Sequence, residues 1–285
     1  MMKTPDLHMH STFSDGASSP SLLVAMAVEA GVDMMAITDH DTFAGADSLR
    51  GTQQPITVIP GVELSLRDMP HLHLLGYGLG DATALRSATL ELARNRETRA
   101  ERMIDRLAEH GMLLDAQAIR QSAQGTIGRP HIALAMVEKG YVRSVHEAFA
   151  RFIGDGCPCY IASERFSMAE ALEMMRACGF VPVLAHPLSL EVEEMRLVSL
   201  LKHWQRKGLM GMEVYHPSAM GGEYVALERI ARRMNLLVTG GSDFHRANDS
   251  HGAIGSTAVL WRHAEDDTFA LTTALREQQS AAERE

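Results

Sequence analysis

Aromatic residues and cysteines are both scarce in this sequence. Only 5 % of the 285 residues are aromatic although 46 % are hydrophobic, so the core must consist mainly of aliphatic side chains and the 18 methionines. Three cysteines are too few and too uneven in number for a disulfide framework, and Cys157-Pro158-Cys159 is too closely spaced for a C-x-x-C motif. We therefore expect ordinary thiols in a reducing compartment.

Signals of export and of membrane insertion are also missing. The segment MMKTPDLHMH has neither the basic nor the apolar region of a signal peptide. No apolar run approaches the ~20 residues that a membrane helix requires. We expect a cytoplasmic protein with no membrane partner. The formal net charge of −9 repels polynucleotide backbones at long range, which argues against duplex DNA as a substrate.

Short apolar segments alternate with longer amphipathic ones over most of the chain. This alternation predicts a mostly parallel sheet covered by helices, and the length suits one α/β barrel. Strands are predicted at 6–10, 33–40, 56–63, 72–79, 180–187, 211–216, 235–245 and 255–261. Helices are predicted at 19–31, 167–179 and 223–234. Ser19 is suited to be the N-cap of the first helix because Pro20 follows it.

Residues 82–165 interrupt the alternation, because one helical pattern follows another with no strong strand between them. We expect this segment to be a helical insertion subdomain between two barrel strands. The barrel would then be formed by residues 1–81 and 166–285.

Histidines and carboxylates recur where the predicted strands end. They are His8, His10, Asp15, Asp39, His40, Asp41, Glu63, His71, His73, His186, Glu213, His216, Asp243 and His245. Side chains two apart on a strand share a face, and the C-terminal ends of parallel barrel strands converge on one mouth. Burying so many imidazoles and acids without cations would be costly. The pattern therefore predicts a metal site at that mouth.

The ordered motifs DLHMHSTFSDG, AITDHDT, GVE, LHLLG, LAHP and GGSDFH resemble the PHP (polymerase and histidinol phosphatase) family. The resemblance covers about 1–80 and 180–260. It implies a distorted (β/α)7 TIM-like barrel, similar to the amidohydrolases, and a metal-dependent activity. Within the family, the helical insertion with Gly128-Arg129-Pro130-His131 resembles the bacterial nucleoside 3′,5′-bisphosphate phosphatases, also known as RNase AM-like proteins.

Carried over residue by residue, the family pattern implies a cluster of three divalent ions. The implied ligands of the first ion are His8, His10, Glu63 and Asp243. Those of the second are Asp15, His40 and His245, and those of the third are His73 and His186, with Glu63 bridging to the first. Spacing alone does not separate His71 from His73, whereas the motif points to His73. The mixture of imidazole and carboxylate favours manganese, with zinc or iron as alternatives.

Such a cluster favours phosphoester chemistry. Three divalent ions exceed the charge of Asp15, Glu63 and Asp243, so the site would attract a phosphate dianion. Water bridging two ions becomes hydroxide near neutral pH and would attack phosphorus. Glu63 and Asp243 would hold the ions that activate this water. His216 is either the acid that protonates the leaving oxygen or a strand-end residue with a structural hydrogen bond.

Substrate specificity is expected to come from the insertion. Arg129 offers a planar fork suited to a second phosphate, and His131 lies near a helix start, where anions are favoured. Arg99 is either a further contact or part of a solvated helix face. Two phosphates fit a nucleoside 3′,5′-bisphosphate, which would yield nucleoside 5′-phosphate and inorganic phosphate.

Several other functions remain open at this point. The same site could accept the 5′ end of a short RNA and act as a 5′→3′ exoribonuclease. Histidinol phosphate or another small phosphomonoester would need no arginine for a second phosphate. A non-catalytic regulatory module, as found within polymerases, would be expected to have lost ligands. An amidohydrolase acting on C–N bonds fits the charge of a three-metal site less well.

Overall fold

The computed structural model describes residues 4–80, 82–123, 127–162, 164–247 and 252–282. The chain divides into two compact units, which we call the barrel unit and the helical unit. The barrel unit consists of residues 1–87 and 166–285, and the helical unit of residues 88–165.

The barrel unit is built on a seven-stranded sheet whose neighbours follow chain order. Its strands are β1 (Pro5–Asp6), β2 (Met34–Ile37), β3 (Thr57–Ser65), β4 (His73–Gly78), β5 (Phe180–Leu184), β6 (Gly211–Tyr215) and β7 (Leu237–Gly240). Backbone hydrogen bonds join its two ends, from Leu7 N to Gly240 O (3.0 Å), Asp243 N to His8 O (2.9 Å) and His10 N to Phe244 O (2.9 Å). The sheet therefore closes on itself, and the prediction of a distorted α/β barrel is confirmed.

Strand β4 runs against both of its neighbours, whereas the other strand pairs are parallel. The sequence predicted a mostly parallel sheet and did not identify this reversal. Residue His73 at the start of β4 pairs with Ser65 at the end of β3. The reversal thus brings the N-terminal end of β4 to the edge where its parallel neighbours end, and His73 reaches the mouth from the opposite direction.

The strand predicted at 255–261 is wrong. Residues Ser256–Leu260 form a 3₁₀ helix, preceded by Gly255 in the left-handed region at φ +76°. The physical reason is that β1 already occupies the open side of β7, so no edge is available to an eighth strand. Trp261 is instead buried beside Tyr215, with ring centroids 5.4 Å apart.

The described residues contain ten α-helices. They are α1 (Pro20–Glu29), α2 (Ala44–Ser48), α3 (Thr83–Glu109), α4 (Ala116–Ala123), α5 (Arg129–Glu138), α6 (Val145–Ala148), α7 (Met168–Ala177), α8 (Glu194–Gln205), α9 (Tyr224–Arg233) and α10 (Ala264–Ala282). The three helices predicted in the barrel part are present as α1, α7 and α9. Ser19 caps α1 by accepting a hydrogen bond from Leu22 N (3.3 Å), as its position before Pro20 predicted.

The barrel unit is filled by aliphatic side chains, as the shortage of aromatics requires. Leu64, Leu75, Val183, Met212 and Val214 are all fully buried. Burying one such side chain stabilises the folded state by roughly 1.5–3 kcal/mol. The closed, apolar wall holds the strand ends in fixed positions, and these ends carry the polar residues of the mouth.

The helical unit has a separate apolar core. Met103 and Leu107 of α3 are fully buried there together with Ile132 and Met136 of α5. After α6 the chain makes a π-helical turn at Phe149–Ile153. Among the helices that the structure describes, none combines the length and the apolar character needed to cross a membrane.

Candidate metal centre

A cavity of about 580 Å³ opens at the mouth of the barrel unit. It is lined by Asp15, His40, Glu63, His71, His73, His186, Leu188, Ser189, His216, Ser218, Asp243, His245 and Arg246. Seven of the nine predicted metal ligands therefore line one cavity. The other two, His8 and His10, are fully buried and lie within hydrogen-bonding distance of its wall residues Glu63 and Asp243.

The first predicted ligand group converges at the base of this cavity. His8 Nε2 lies 3.1 Å from His10 Nε2, 3.3 Å from Glu63 Oε2 and 3.3 Å from Asp243 Oδ1. His10 Nε2 lies 3.1 Å from the same Asp243 oxygen. Four potential ligand atoms thus surround one point, as a metal ion requires.

The second group gathers around Asp15. His245 Nε2 lies 3.3 Å from Asp15 Oδ1, and His40 Nε2 lies 3.7 Å from Asp15 Oδ2. His10 also belongs here, because its Nδ1 lies 3.5 Å from Asp15 Oδ1. The sequence analysis placed His10 in the first group alone, whereas the structure turns one ring nitrogen towards each group.

Glu63 connects the first group to the third. Its Oε1 lies 2.9 Å from His73 Nδ1 and 2.9 Å from His186 Nε2, and these two nitrogens are 3.3 Å apart. Its Oε2 faces His8, His10 and His40, with His40 Nδ1 at 3.1 Å. The two carboxylate oxygens therefore point to different sets of histidines, which is the geometry of a bridging ligand.

The donor set fits divalent cations. His10 Nδ1 and His40 Nδ1 are buried and form no hydrogen bond of good geometry with the described residues, although carboxylate oxygens of Asp15 and Glu63 lie 3.5 Å and 3.1 Å from them. The nitrogens of His8 and His10 face each other, although at most one proton can lie between them. Buried polar atoms normally have partners, and nitrogens placed in this way fit the ligands of a cation. Imidazole and carboxylate without thiolate suit manganese, iron or zinc.

The charges of the site are strongly coupled. Burial raises the pKa of Glu63, but the positive charge on His40, His8 and His73 lowers it by more, so the pKa lies well below its usual value. Glu63 is therefore an anion at neutral pH, which is the form that binds cations.

Asp39 positions the loop that carries Asp15. Its carboxylate accepts hydrogen bonds from Ser11 N, Ser11 Oγ and Ser14 Oγ, each at 2.7 Å. A Cβ atom at Gly45 would lie 1.9 Å from Asp39 Oδ2, so only glycine leaves room for this carboxylate. No role for Asp39 was predicted, although its place beside His40 at a strand end was a signal.

Glu213 is the second residue that the sequence analysis left without a role. It is fully buried on β6 and contacts both His8 Nδ1 and the backbone N–H of His186. The sequence did contain a sign of this role. Glu213 is a carboxylate between two apolar residues, Met212 and Val214, on a strand whose alternate positions face the barrel interior.

His216 also lines the cavity, at the end of β6. His216 Nδ1 lies 2.8 Å from Ser218 Oγ and 3.2 Å from Ser218 N, so Nε2 is the ring nitrogen left to face the other cavity residues. That Nε2 lies 3.3 Å from Asp243 Oδ2. The arrangement places a ring nitrogen beside the candidate ligands.

His71 does not join the ligand groups found among the described residues. Its backbone lies in the left-handed region at φ +56°, and its carbonyl oxygen accepts a hydrogen bond from Ser189 Oγ (3.3 Å). His71 lines the cavity, but it is His73 that contacts Glu63.

The predicted substrate-binding residues lie in the helical unit. Arg129 is the first residue of α5, and its Nη1 lies 2.7 Å from Asp155 Oδ1. Arg99 Nε donates to Ile161 O (2.6 Å). The two guanidinium groups lie over the Tyr160 ring, 5.4 Å and 5.6 Å from its centroid. Burial and the charge of Arg129 lower the pKa of Arg99, as expected where two cations are held close together.

His131 has a more local partner. Its Nδ1 accepts a hydrogen bond from Gly128 N (3.0 Å), the residue just before α5. The ring thus satisfies a free backbone N–H near the helix start. This nitrogen is engaged by the chain itself, which leaves Nε2 as the atom that a substrate could contact.

Comparisons with known proteins agree on one family. A family model described as PHP domain matches residues 6–156. A 5′-3′ exoribonuclease of Haemophilus influenzae is 32 % identical over 249 residues, which cover 86 % of this chain and 91 % of that protein. A 3′,5′-nucleoside bisphosphate phosphatase of Chromobacterium violaceum is 27 % identical over 283 residues, covering 93 % and 97 %.

The fold has a counterpart among solved structures. An amidohydrolase from Chromobacterium violaceum, with bound sulfate and no metal, superimposes with a TM-score of 0.70. It is 26 % identical, and the match covers 93 % of this chain and 96 % of that one. The similarity therefore extends over almost the whole of both chains.

Proposed function

The chain belongs to the PHP domain family, and we propose that it is a metal-dependent phosphoesterase that removes the 3′-phosphate of nucleoside 3′,5′-bisphosphates. The observation that carries the proposal is the position of Glu63. One of its oxygens lies 2.9 Å from His73 and His186, and the other faces His8, His10 and His40. A carboxylate placed in this way holds adjacent cations, and adjacent cations suit a phosphate group.

We propose that three ions occupy the ligand groups and that manganese is the native metal. The proposed ligands are His8, His10, Asp15, His40, Glu63, His73, His186, Asp243 and His245. When bound, the ions supply positive charge to the phosphate oxygens and lower the pKa of an attacking water. The buried carboxylates Glu63 and Asp243 fix the ions in place for this chemistry.

The leaving group is the 3′-oxygen of the ribose, which must gain a proton as its bond to phosphorus breaks. We assign this proton to His216 in its imidazolium form, which lines the cavity and gives up the proton on Nε2. The ring becomes neutral when it gives up this proton, and Nδ1 keeps its own proton towards Ser218 Oγ (2.8 Å). General acids of this kind accelerate such steps by about 10²–10⁴-fold.

We propose that the 5′-phosphate is bound by Arg129, with Arg99 and His131 as further contacts. The support is chemical. Arg129 and Arg99 bring two guanidinium groups to one aromatic ring, and burial together with the charge of Arg129 lowers the pKa of Arg99. Such a pair gains stability from a dianion. The related amidohydrolase holds sulfate, a chemical analogue of phosphate.

A second candidate is 5′→3′ exoribonuclease activity on short 5′-phosphorylated RNA. The specific observation is the 32 % identity to a protein with that name. Both substrates begin with a nucleoside 5′-phosphate, and in both the bond between phosphorus and the 3′-oxygen would break. Nucleoside bisphosphate differs only in releasing inorganic phosphate instead of a shortened RNA.

A substrate panel tests the proposal. The protein is stripped with a chelator, reloaded with Mn²⁺, Zn²⁺ or Fe²⁺, and given adenosine 3′,5′-bisphosphate, 3′-AMP, 5′-AMP, histidinol phosphate and a 5′-phosphorylated RNA oligomer. We expect hydrolysis only after reloading, with the bisphosphate preferred over both monophosphates. The RNA measures the second candidate in the same assay.

Three outcomes would contradict the proposal in whole or in part. Full activity of the stripped protein would remove the metal dependence. Equal or faster turnover of a monophosphate would leave the metal chemistry intact but remove the role of the arginine pair. Faster turnover of RNA than of the bisphosphate would make the exoribonuclease the principal activity.

A further inference from the structure

We infer that Glu213 is a positioning residue that prepares two of the proposed metal ligands at once. It is fully buried, its Oε1 lies 3.0 Å from His8 Nδ1, and its Oε2 accepts a hydrogen bond from the backbone N–H of His186 (2.8 Å). The inference rests on the proposed function, because it concerns how the metal cluster is assembled.

The contact with His8 selects the nitrogen that can bind an ion. A carboxylate only accepts hydrogen bonds, so the proton of the neutral His8 ring belongs on Nδ1, facing Glu213. The lone pair is then on Nε2, and this nitrogen faces Glu63 Oε2, Asp243 Oδ1 and His10 Nε2. Glu213 therefore directs the lone pair of His8 to the point where the first ligand group converges.

The second oxygen of Glu213 acts on a different strand end. His186 follows β5 and has a positive φ of +23°, a conformation that a non-glycine residue holds only when its surroundings fix it. The bond from its backbone N–H to Glu213 is one such restraint, and the bond between His186 Nδ1 and Ser189 Oγ (2.7 Å) is another. Together they point His186 Nε2 at Glu63 Oε1.

One carboxylate thus connects His8 of the first ligand group with His186 of the third. The side chain at position 213 must accept a hydrogen bond at each of its two terminal atoms, one from His8 and one from the backbone N–H of His186. A glutamine would offer one acceptor and one donor. With its oxygen towards His8, its NH₂ group would face the N–H of His186. With its NH₂ group towards His8, the His8 proton would move to Nε2 and block the atom that binds the ion.

The variant Glu213→Gln tests this inference with metal binding as the readout. Stripped protein is titrated with Mn²⁺ and Zn²⁺, and bound ions are counted by mass spectrometry after dialysis. We expect affinity for at least one ion to fall about 10- to 100-fold, the usual effect of removing such a partner. Wild-type affinity and ion count in the variant would overturn the inference.

Asp267→Asn is the matched control. Asp267 is also a buried carboxylate with two partners, since it accepts from Trp261 Nε1 (2.8 Å) and pairs with Arg232. It lies outside the ligand groups. Both variants should lower the thermal midpoint, but only Glu213→Gln should lower metal affinity. An equal loss of metal in both would show a general effect of destabilisation and overturn the positioning role.

A measurement on the unmodified protein covers the case in which Glu213→Gln does not fold. Nitrogen NMR of zinc-loaded, ¹⁵N-histidine-labelled protein distinguishes a protonated ring nitrogen from a metal-bound one. We expect His8 to carry its proton on Nδ1 and zinc on Nε2. Zinc on Nδ1 would overturn the inference. Failure of the wild type to bind any ion would instead refute the metal-dependent function.

Discussion

The Nε2 atoms of His8 and His10 face each other at 3.1 Å, with carboxylate oxygens of Glu63 and Asp243 beside them. Two ring nitrogens at this distance repel unless a proton or a cation lies between them. The two residues flank Met9, which pairs with Phe244 in the segment that follows β1, so this close approach is built into the barrel wall. The barrel mouth is therefore arranged to hold a positive charge between these nitrogens.

Binding of a metal ion at this point should stabilise the fold. We expect a chelator to lower the thermal midpoint of the protein and Mn²⁺ to restore it. An ion that binds only the folded state adds about 2.7 kcal/mol to the free energy of unfolding when its free concentration is a hundred times its Kd. Differential scanning calorimetry measures the shift. A midpoint that does not respond to chelation or to added ions would contradict a cluster of bound metals.

Glu63→Gln should remove the link between ligand groups. An amide has one acceptor atom, so it cannot serve both the His73–His186 side and the His8–His10 side. We expect fewer bound ions by elemental analysis and loss of phosphate release. A variant that is active and fully loaded would contradict the bridging role. Glu194→Gln, at an exposed pair with Arg229, is the control.

His216→Ala should slow turnover according to the leaving group. If His216 protonates the 3′-oxygen, kcat should fall about 10²–10⁴-fold for adenosine 3′,5′-bisphosphate. A substrate such as p-nitrophenyl phosphate, whose leaving oxygen needs no proton, should lose much less. An equal loss for both substrates would assign His216 a structural role through its contact with Asp243. Metal content should remain at the wild-type level.

Arg129→Ala should affect only substrates with a second phosphate. Loss of a charged hydrogen bond corresponds to an increase in KM of about 10- to 100-fold for the bisphosphate. KM for 3′-AMP should stay close to the wild-type value. Arg120→Ala is the control, because Arg120 is also in the helical unit but pairs with Glu101 at the surface. Equal changes in KM for the two substrates would remove the assigned role of Arg129.

Glu170 should contribute stability that acid removes. Its hydrogen bonds from Arg67 and Ser167 lower its pKa from the ordinary 4.5 to about 2. A carboxylate whose pKa is lower in the folded state stabilises the protein above its unfolded-state pKa, and the effect disappears as the pH falls from about 4.5 to 2. Urea midpoints of wild type and Glu170→Gln should therefore differ at pH 6 and converge near pH 2. A constant difference would contradict this.

Local rules made much of the barrel predictable. Ser19 followed by Pro20 predicts a helix start, and the structure has one there. Apolar segments such as 211–216 predict buried strands because they alternate with amphipathic helices, and β6 lies within that range. The two-residue period of a strand predicts that His8 and His10 share a face, and their rings do meet, although β1 ends at Asp6 and both histidines follow it. These inferences need only neighbouring residues, which is why they hold.

The sequence by itself therefore determined the residue types of the mouth and the strand ends that carry them. Only the tertiary structure decided the direction of β4, the closure between β7 and β1, and the contact of Glu213 with both His8 and His186. The 255–261 segment became a 3₁₀ helix for the same reason, since its neighbours left it no partner strand. Strand direction, closure and cross-strand contacts depend on residues far apart in the chain, and no local pattern records which of them meet.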